Sequence, residues 1–494
     1  MSSTTYPTSA ATAPDSRRGL SVAWPTTLQL AILAAAAFAF MTTLFAPQLL
    51  WDGDTLWHVR TGEWMWAHHQ VLQVDPFSFT VPGRRWVNLE WLSDLLMAPV
   101  YDAGGWSAID VLCAVCMGAL TWILASQMSR KLPAFSWAAA IFMALCCTTQ
   151  SWLARPHLLA LPLLALWTVQ LMRARESHKA PPLWLVPVMT LWANLHGSYL
   201  LGLALIGPFA LEALVEPGAD KLKTIRDWGL FGVLSLIASV ITPHGVDGLI
   251  YTVRLITMTS NTDIVEWQPT NFGHWGPFEV TLLAALFVLL YRGVKVPIIR
   301  LMVLLGLFHL TLLETRQQMV LAVVGVLLLA EPISQTLAGA DPVVRLPTLS
   351  AAWRAGALAA ILAVACLGAA IRMAIPAHLT QGPTAPITAL DHVPASLRQQ
   401  HVLNEYGFGG YLIFNHVRPF IDGRADMYGD DFIHPYMKVK KRDLPELKAM
   451  LARYGVRWTI WAADDPVVTD MDALPGWKRL YADKTAVVHV KVGA

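Results

Sequence analysis

Long apolar runs with few charges constrain this chain more than any other feature of its sequence. A membrane-spanning helix needs about 20 apolar residues, and several runs approach or reach that length. They lie at 27–49, 106–128, 134–153, 157–172, 182–196, 198–215, 229–243, 276–292, 297–313, 317–333 and 355–375. Only 14% of the residues are charged, against roughly 25% in soluble domains. We therefore predict a polytopic α-helical membrane protein with about eleven spans.

Basic residues between the runs predict the orientation. They fall on one side of the predicted spans, together with Arg17 and Arg18: Arg130, Lys131, Arg173, Arg175, Lys179, Lys221, Lys223, Arg226, Arg292, Lys295, Arg345 and Arg354. The positive-inside rule makes that side the cytoplasm. Residues 1–25 are then a disordered cytoplasmic tail, and 26–375 form the membrane domain. A long loop at 51–105, a second loop at 243–275 and everything beyond 375 lie outside.

The chain changes character after the last apolar run. β-branched stretches such as VRWTIWAA and TAVVHVKV alternate with turns and with a helical stretch, DLPELKAMLARYG. Such alternation is typical of a small α/β fold. We predict an external α/β domain over 376–494, in which HVLNEYGFGGYLIF and RPFIDGRADMYG are further segments.

The stretch WDGDTLWHVRTGEW, at 51–64, places charges beside the first membrane helix, where they are costly unless they have a function. Asp52 and Asp54 either cap the following helix, which we expect over 55–69 at the membrane interface, or one of them is a general base. His58 lies one helical turn after Asp54. It either orients a substrate or phosphate, or simply packs.

Further polar residues near the outer ends of the spans are candidates for the same site. Arg60, Arg155 and Arg316 suit a phosphate, because a guanidinium donates two parallel hydrogen bonds, although snorkelling or ion pairing explains them equally well. His196, in WANLHG, is a candidate for substrate binding, and Glu266, in the second loop, for a second carboxylate.

A net charge of +2 without a basic block gives no support for nucleic acid binding.

WDGDTLWHVRTGEW followed by DPFSFTVPGRRW resembles the GT-C superfamily of polyprenyl-phosphate-dependent glycosyltransferases, and within it the oligosaccharyltransferase-like branch. RPHL, WANLHG and ETRQQ extend the resemblance to bacterial members. It implies that Asp54 is the catalytic acid, with Asp52 beside it and Arg316 on the donor phosphate. The implied reaction is an inverting sugar transfer from a polyprenyl-phosphate-linked donor. The implied location is the bacterial inner membrane, among its lipids, with the C-terminal domain in the periplasm.

The chain departs from that family where oligosaccharyltransferases carry WWDYG. The corresponding stretch here is Asn404-Glu405-Tyr406-Gly407, so we expect a glycan or lipid acceptor rather than a peptide. Tyr406, Asp422 and Arg424 are candidates for the acceptor side, although an Asp–Arg turn has an equally good structural explanation. Acids from two loops are compatible with a divalent metal, and no cofactor is certain. A transporter or flippase of lipid-linked glycans and a non-catalytic envelope assembly partner are the alternatives.

Overall fold

The computed structural model describes residues 25–259, 267–337 and 346–493. Residues 1–24 of the tail expected at 1–25, and the candidate acid Glu266, therefore lie outside the described residues. Helices dominate the chain up to residue 374: α1 (Thr27–Leu44), α2 (Asp54–His68), α3 (Trp91–Met128), α4 (Ala134–Thr148), α5 (Pro156–Glu176), α6 (Leu185–Leu195), α7 (Tyr199–Leu214), α8 (Lys221–Ser239), α9 (Val246–Ile256), α10 (Pro277–Tyr291), α11 (Ile298–Leu313), α12 (Gln318–Leu337) and α13 (Ala351–Ala374).

Every apolar run that predicts a span falls on one of these helices. Among the described residues, six helical stretches are long and apolar enough to cross a membrane, judged by length and composition: 27–44, 91–128, 134–151, 156–176, 315–337 and 351–374. Shorter apolar helices, α6, α7, α10 and α11, occupy four more of the predicted runs. The remaining run, 229–243, covers the second half of α8. The prediction of a polytopic helical membrane protein is confirmed.

Local sequence explains where some of these helices begin and bend. Thr26 caps α1: its hydroxyl accepts from the Gln29 amide at 3.2 Å, and the Gln29 side chain accepts from the Thr26 amide at 2.7 Å. In α3, Gly105 has a φ of 60°, a value that favours glycine. The helix is kinked there. We expected the helix to begin with the span at 106–128, whereas α3 begins at Trp91 and shortens the first loop to residues 51–90.

The C-terminal α/β domain follows α13. Its elements are α14 (Ile387–Asp391), α15 (Ala395–Arg398), β1 (Val402–Asn404), α16 (Gly409–Phe414), α17 (Ala425–Tyr428), α18 (Asp430–Lys440), α19 (Leu444–Arg453), β2 (Trp458–Ala462), α20 (Val467–Asp472), β3 (Trp477–Ala482) and β4 (Ala486–Lys491). The strands form one sheet in the order β1-β2-β4-β3, with β1 parallel to β2 and the other neighbours antiparallel. The segment GGYLIF is the short helix α16.

The first loop and the C-terminal domain share one hydrophobic core. Trp57, Met65 and Trp86 of the loop belong to the same buried cluster as Phe420 and Tyr428. Polar contacts add to this packing: the Thr80 hydroxyl donates to the Phe420 carbonyl at 2.8 Å. Consequently α2 is packed within the protein along one face, and its place at the membrane interface stays a prediction. Most of its residues from 55 to 62 are buried, and it packs against α3 and α16.

Candidate active site

One arginine holds the two acids that begin the first loop. Arg155, which precedes α5, places Nη1 3.2 Å from Asp52 Oδ2 and Nη2 3.0 Å from Asp54 Oδ2. Asp52 Oδ1 also accepts from the amide of Asp54, the first residue of α2, at 2.8 Å. Asp54 Oδ1 accepts from the Trp57 indole at 2.9 Å. The three charged side chains are 15–18% exposed, so they are ordered and still accessible.

The C-terminal domain approaches Asp54 through glycines. A side-chain carbon at Gly423 would overlap Asp54 Oδ1, and one at Gly410 would overlap the carbonyl of Gly53. Tyr406, which we expected on the acceptor side, donates its hydroxyl to the Gly423 carbonyl at 3.2 Å. The Gly423 turn therefore packs directly on the Asp54 carboxylate, and Tyr406 supports that turn.

A buried row of histidines and acids lies behind the acid pair. The His58 ring is buried, with Nδ1 2.6 Å from Asp94 Oδ1 and Nε2 3.5 Å from Glu90 Oε2. The other oxygen of Glu90 lies 3.2 Å from His196 Nε2. Asn88 donates to the second oxygen of Asp94 at 2.7 Å. Glu90 thus lies between two histidines and is the member of the row with a partly exposed side chain, at 23%.

Burial sets the protonation of this row. It lowers the pKa of His58 to about 4, and it lowers that of His196 well below its usual value. At neutral pH both imidazoles are uncharged, and Nδ1 of His58 shares a hydrogen bond with the Asp94 carboxyl. Burial also raises the pKa of Glu90, against the opposing influence of His58 and Arg155. Glu90 is therefore a carboxyl that takes up a proton more readily than an exposed glutamate does.

Arg316, another of the predicted phosphate ligands, lies in the same region. Its charge acts on both Glu90 and His196, as does that of Arg155. Its guanidinium lies 4.3 Å above the ring of Trp267. The predicted residues that the structure brings together are thus Asp52, Asp54, His58, Arg155, His196 and Arg316.

Three predicted site residues have structural partners elsewhere. Arg60 pairs with Glu63 and donates to the Phe414 carbonyl from Nε, at 3.0 Å, so it ties α2 to α16. Arg424 is 1% exposed and lies 2.7 Å from Asp422 Oδ2 and 2.8 Å from Asp75 Oδ1. These contacts fit the structural explanation of the Asp–Arg turn, and the buried side chains of Asp422 and Arg424 do not line a surface.

Sequence reasoning assigned no role to Glu90 and Asp94. Glu90 directly precedes α3 and Asp94 lies in its first turn, but nothing in the sequence shows that this end of the helix meets His58. The positions of Glu90 and Asp94 give no evidence for a metal site. Among the described residues, no group of three or more His, Cys, Asp or Glu side chains could hold a metal ion.

Comparisons with known proteins show a similarity in fold. No protein-family model matches the chain, and no curated protein matches it in sequence. The fold is similar to the crystal structure of ArnT from Cupriavidus metallidurans bound to undecaprenyl phosphate. The identity is 14% and the TM-score 0.48, over 94% of this chain and 98% of that one. A similarity of this size concerns only the general arrangement of the chain. The role proposed for the site therefore rests on the contacts among the site's own residues.

Proposed function

We propose that this chain is a membrane glycosyltransferase that uses a polyprenyl-phosphate-linked sugar. The observation that carries the proposal is the meeting of Asp52, Asp54 and Arg155 at the end of a span, with Glu90 and Arg316 in the same region. A lipid-linked donor presents its phosphate at this depth. Two guanidinium groups and a set of carboxylates supply the charges that a sugar transfer from phosphate requires.

The proposed step is an inverting displacement at the anomeric carbon. An acceptor hydroxyl attacks that carbon while its proton passes to the Asp54 carboxylate. The bond between the anomeric carbon and the phosphate oxygen breaks, and the lipid phosphate leaves with the electron pair. Arg155 and Arg316 stabilise the negative charge that develops on the leaving phosphate. Because Arg155 pairs with Asp52 and Asp54 here, a bound phosphate would compete with both carboxylates for its guanidinium.

Glu90 enters the proposal as a second acid that the sequence did not single out. His58 and His196 hold its carboxyl between them, and its pKa is raised by burial. We propose that Glu90 orients the acceptor hydroxyl towards Asp54. A glutamine at this position keeps the size and one acceptor oxygen but replaces the other oxygen with an amide donor, so it tests the need for a carboxyl group.

The proposed location is the bacterial inner membrane, with the first loop and the C-terminal domain in the periplasm and the N-terminus in the cytoplasm. The distribution of basic residues supports it. Arg155 precedes α5, whereas Arg173 and Arg175 lie in its last turn, so one end carries the site and the other the cytoplasmic cations. A glycan or lipid with a free hydroxyl is the proposed acceptor.

The test compares Asp54→Asn with wild type in a strain that lacks the gene, by mass profiling of envelope glycans and lipid-linked sugars. Wild type should restore a missing sugar. The variant, at equal abundance, should restore none while the lipid-linked donor accumulates. Asp247→Asn is the matched control, because that acid forms an exposed pair with Arg85. If Asp54→Asn performs like wild type, Asp54 is not the base. Transport and assembly roles then become the better explanations.

A further inference from the structure

A second cleft lies apart from the acid pair, where three parts of the chain meet. Its volume is about 270 Å³. One wall is α9, a second is the turn that carries Arg84, and the third is the start of α18. The Trp86 indole separates this cleft from Asp54: it packs edge-on to Trp57 at 5.7 Å.

Two arginines, one from the first loop and one from α9, line this cleft. Within the parts of the chain that the structure describes, the guanidinium groups of Arg84 and Arg254 form no ion pair or hydrogen bond, although both line the same cavity. The neighbouring Arg85 differs, because its Nη2 lies 2.5 Å from Asp247 Oδ2. An arginine of the same turn therefore pairs with a carboxylate, whereas neither cleft arginine forms such an ion pair among the described residues.

Two of the three acids that line the cleft accept hydrogen bonds from neighbouring groups. Asp426 accepts from the Trp86 indole at 3.1 Å and from the Tyr251 hydroxyl at 3.2 Å. Asp430 accepts from the amide and hydroxyl of Thr259, at 3.1 and 2.9 Å. The third acid is Asp431. The cleft thus offers two guanidinium forks as donors and three carboxylates as acceptors. Such a lining suits a ligand that carries an anionic group together with hydroxyl donors.

We propose that this cleft binds the phosphate or carboxylate group of a hydroxyl-rich ligand, with Arg84 and Arg254 on the anion and Asp430 on a hydroxyl. Both a phosphorylated or acidic saccharide and a phospholipid headgroup carry this chemistry. Binding here needs neither Asp54 nor a transfer reaction, so the proposal does not depend on the function given above.

The test is calorimetric titration of the full chain in phosphatidylcholine nanodiscs, with glucose 6-phosphate, glucuronate and glucose as probes. The two anionic probes should bind and glucose should not. Arg84→Gln and Arg254→Gln should each weaken the anionic probes at least about tenfold, since a hydrogen-bonded charge is lost. Arg85→Gln is the matched control and should change the affinity less than about twofold. Thermal unfolding checks that each variant is folded.

Phosphatidylglycerol nanodiscs distinguish the two sources of the anion. If phosphatidylglycerol weakens the binding of glucose 6-phosphate to wild type, and this competition is lost in Arg84→Gln and Arg254→Gln, the headgroup is the natural occupant. If phosphatidylglycerol has no effect on that binding, a saccharide is the natural occupant. The proposal is overturned if neither anionic probe binds saturably, if glucose binds as well as they do, or if Arg85→Gln has the same effect as the two cleft variants.

Discussion

The guanidinium of Arg155 bridges Asp52 and Asp54, with Nη1 3.2 Å from one carboxylate and Nη2 3.0 Å from the other. This is the contact through which the membrane domain holds both acids of the first loop in place. A planar fork can serve two carboxylates at once, whereas an ammonium group is a point charge. The proposed chemistry therefore depends on arginine specifically, not on positive charge alone.

Arg155→Lys should lower sugar transfer at least about tenfold, because lysine cannot hold both acids in this geometry. The measurement is the amount of restored glycan per amount of protein in membranes. Arg85→Lys makes the same change at an exposed pair and should keep the activity of wild type. Full activity of Arg155→Lys would show that the bridge between the acids has no role in transfer.

Gly423→Ala should abolish most activity while the chain still reaches the membrane. The added methyl would overlap Asp54 Oδ1, and a displacement of about 1 Å of a catalytic group costs roughly a hundredfold in rate. Gly229→Ala, where a methyl meets no atom within 4 Å, is the control. Product formation and thermal unfolding are measured on both. A Gly423→Ala enzyme with normal rates would mean that the turn does not limit the position of Asp54.

Arg424→Met should destabilise the folded chain by about 3–5 kcal/mol, because it leaves Asp75 and Asp422 buried without their cation. The measurement is denaturant unfolding in detergent, followed by tryptophan fluorescence. Arg442→Met removes an exposed arginine that pairs with Asp470 and should have little effect. Equal stability of the two variants would contradict the assignment of Arg424 to the structure of the turn.

The buried histidine of the first loop should make stability depend on pH. The pKa of His58 falls from 6.5 to about 4 on folding, so its contribution is complete above pH 6.5. It is lost as the pH falls towards 4, and amounts to about 3 kcal/mol. Unfolding is measured from pH 7.5 to 4.5 in wild type, His58→Gln and the control His401→Gln. Only in His58→Gln should the free energy of unfolding fall less steeply as the pH is lowered. Parallel slopes in all three would refute the prediction.

Positions of helices could be predicted from the sequence, because a run of apolar residues has few alternatives to a helix in a membrane. The acid pair could be predicted as well, since charge beside such a run needs a reason. Asp52 and Asp54 do meet Arg155 in the structure. Both inferences use neighbours in the sequence or the cost of burial, and neither needs the tertiary fold.

The rest depended on contacts between distant segments. The pattern of α2 fits a membrane interface as well as a protein partner, and only the fold shows that the partner is α16. The apolar run of α16 is too short to distinguish a helix from a strand. Glu90 directly precedes α3 and Asp94 lies in its first turn, but the histidines that they contact come from α2 and from the end of α6. Pairings of this kind are set by packing.

The shared core of the first loop and the C-terminal domain has a consequence for biosynthesis. The partners of Thr80 and Trp86 lie 340 residues further along the chain. At about 5–20 residues per second, the ribosome needs roughly 20 to 70 seconds to make that distance. During this interval α2 can pack against α3, but the loop lacks its partners from the C-terminal domain. The Asp54 region is therefore completed only when translation is nearly finished, and a chain released early would carry every catalytic acid without a completed site.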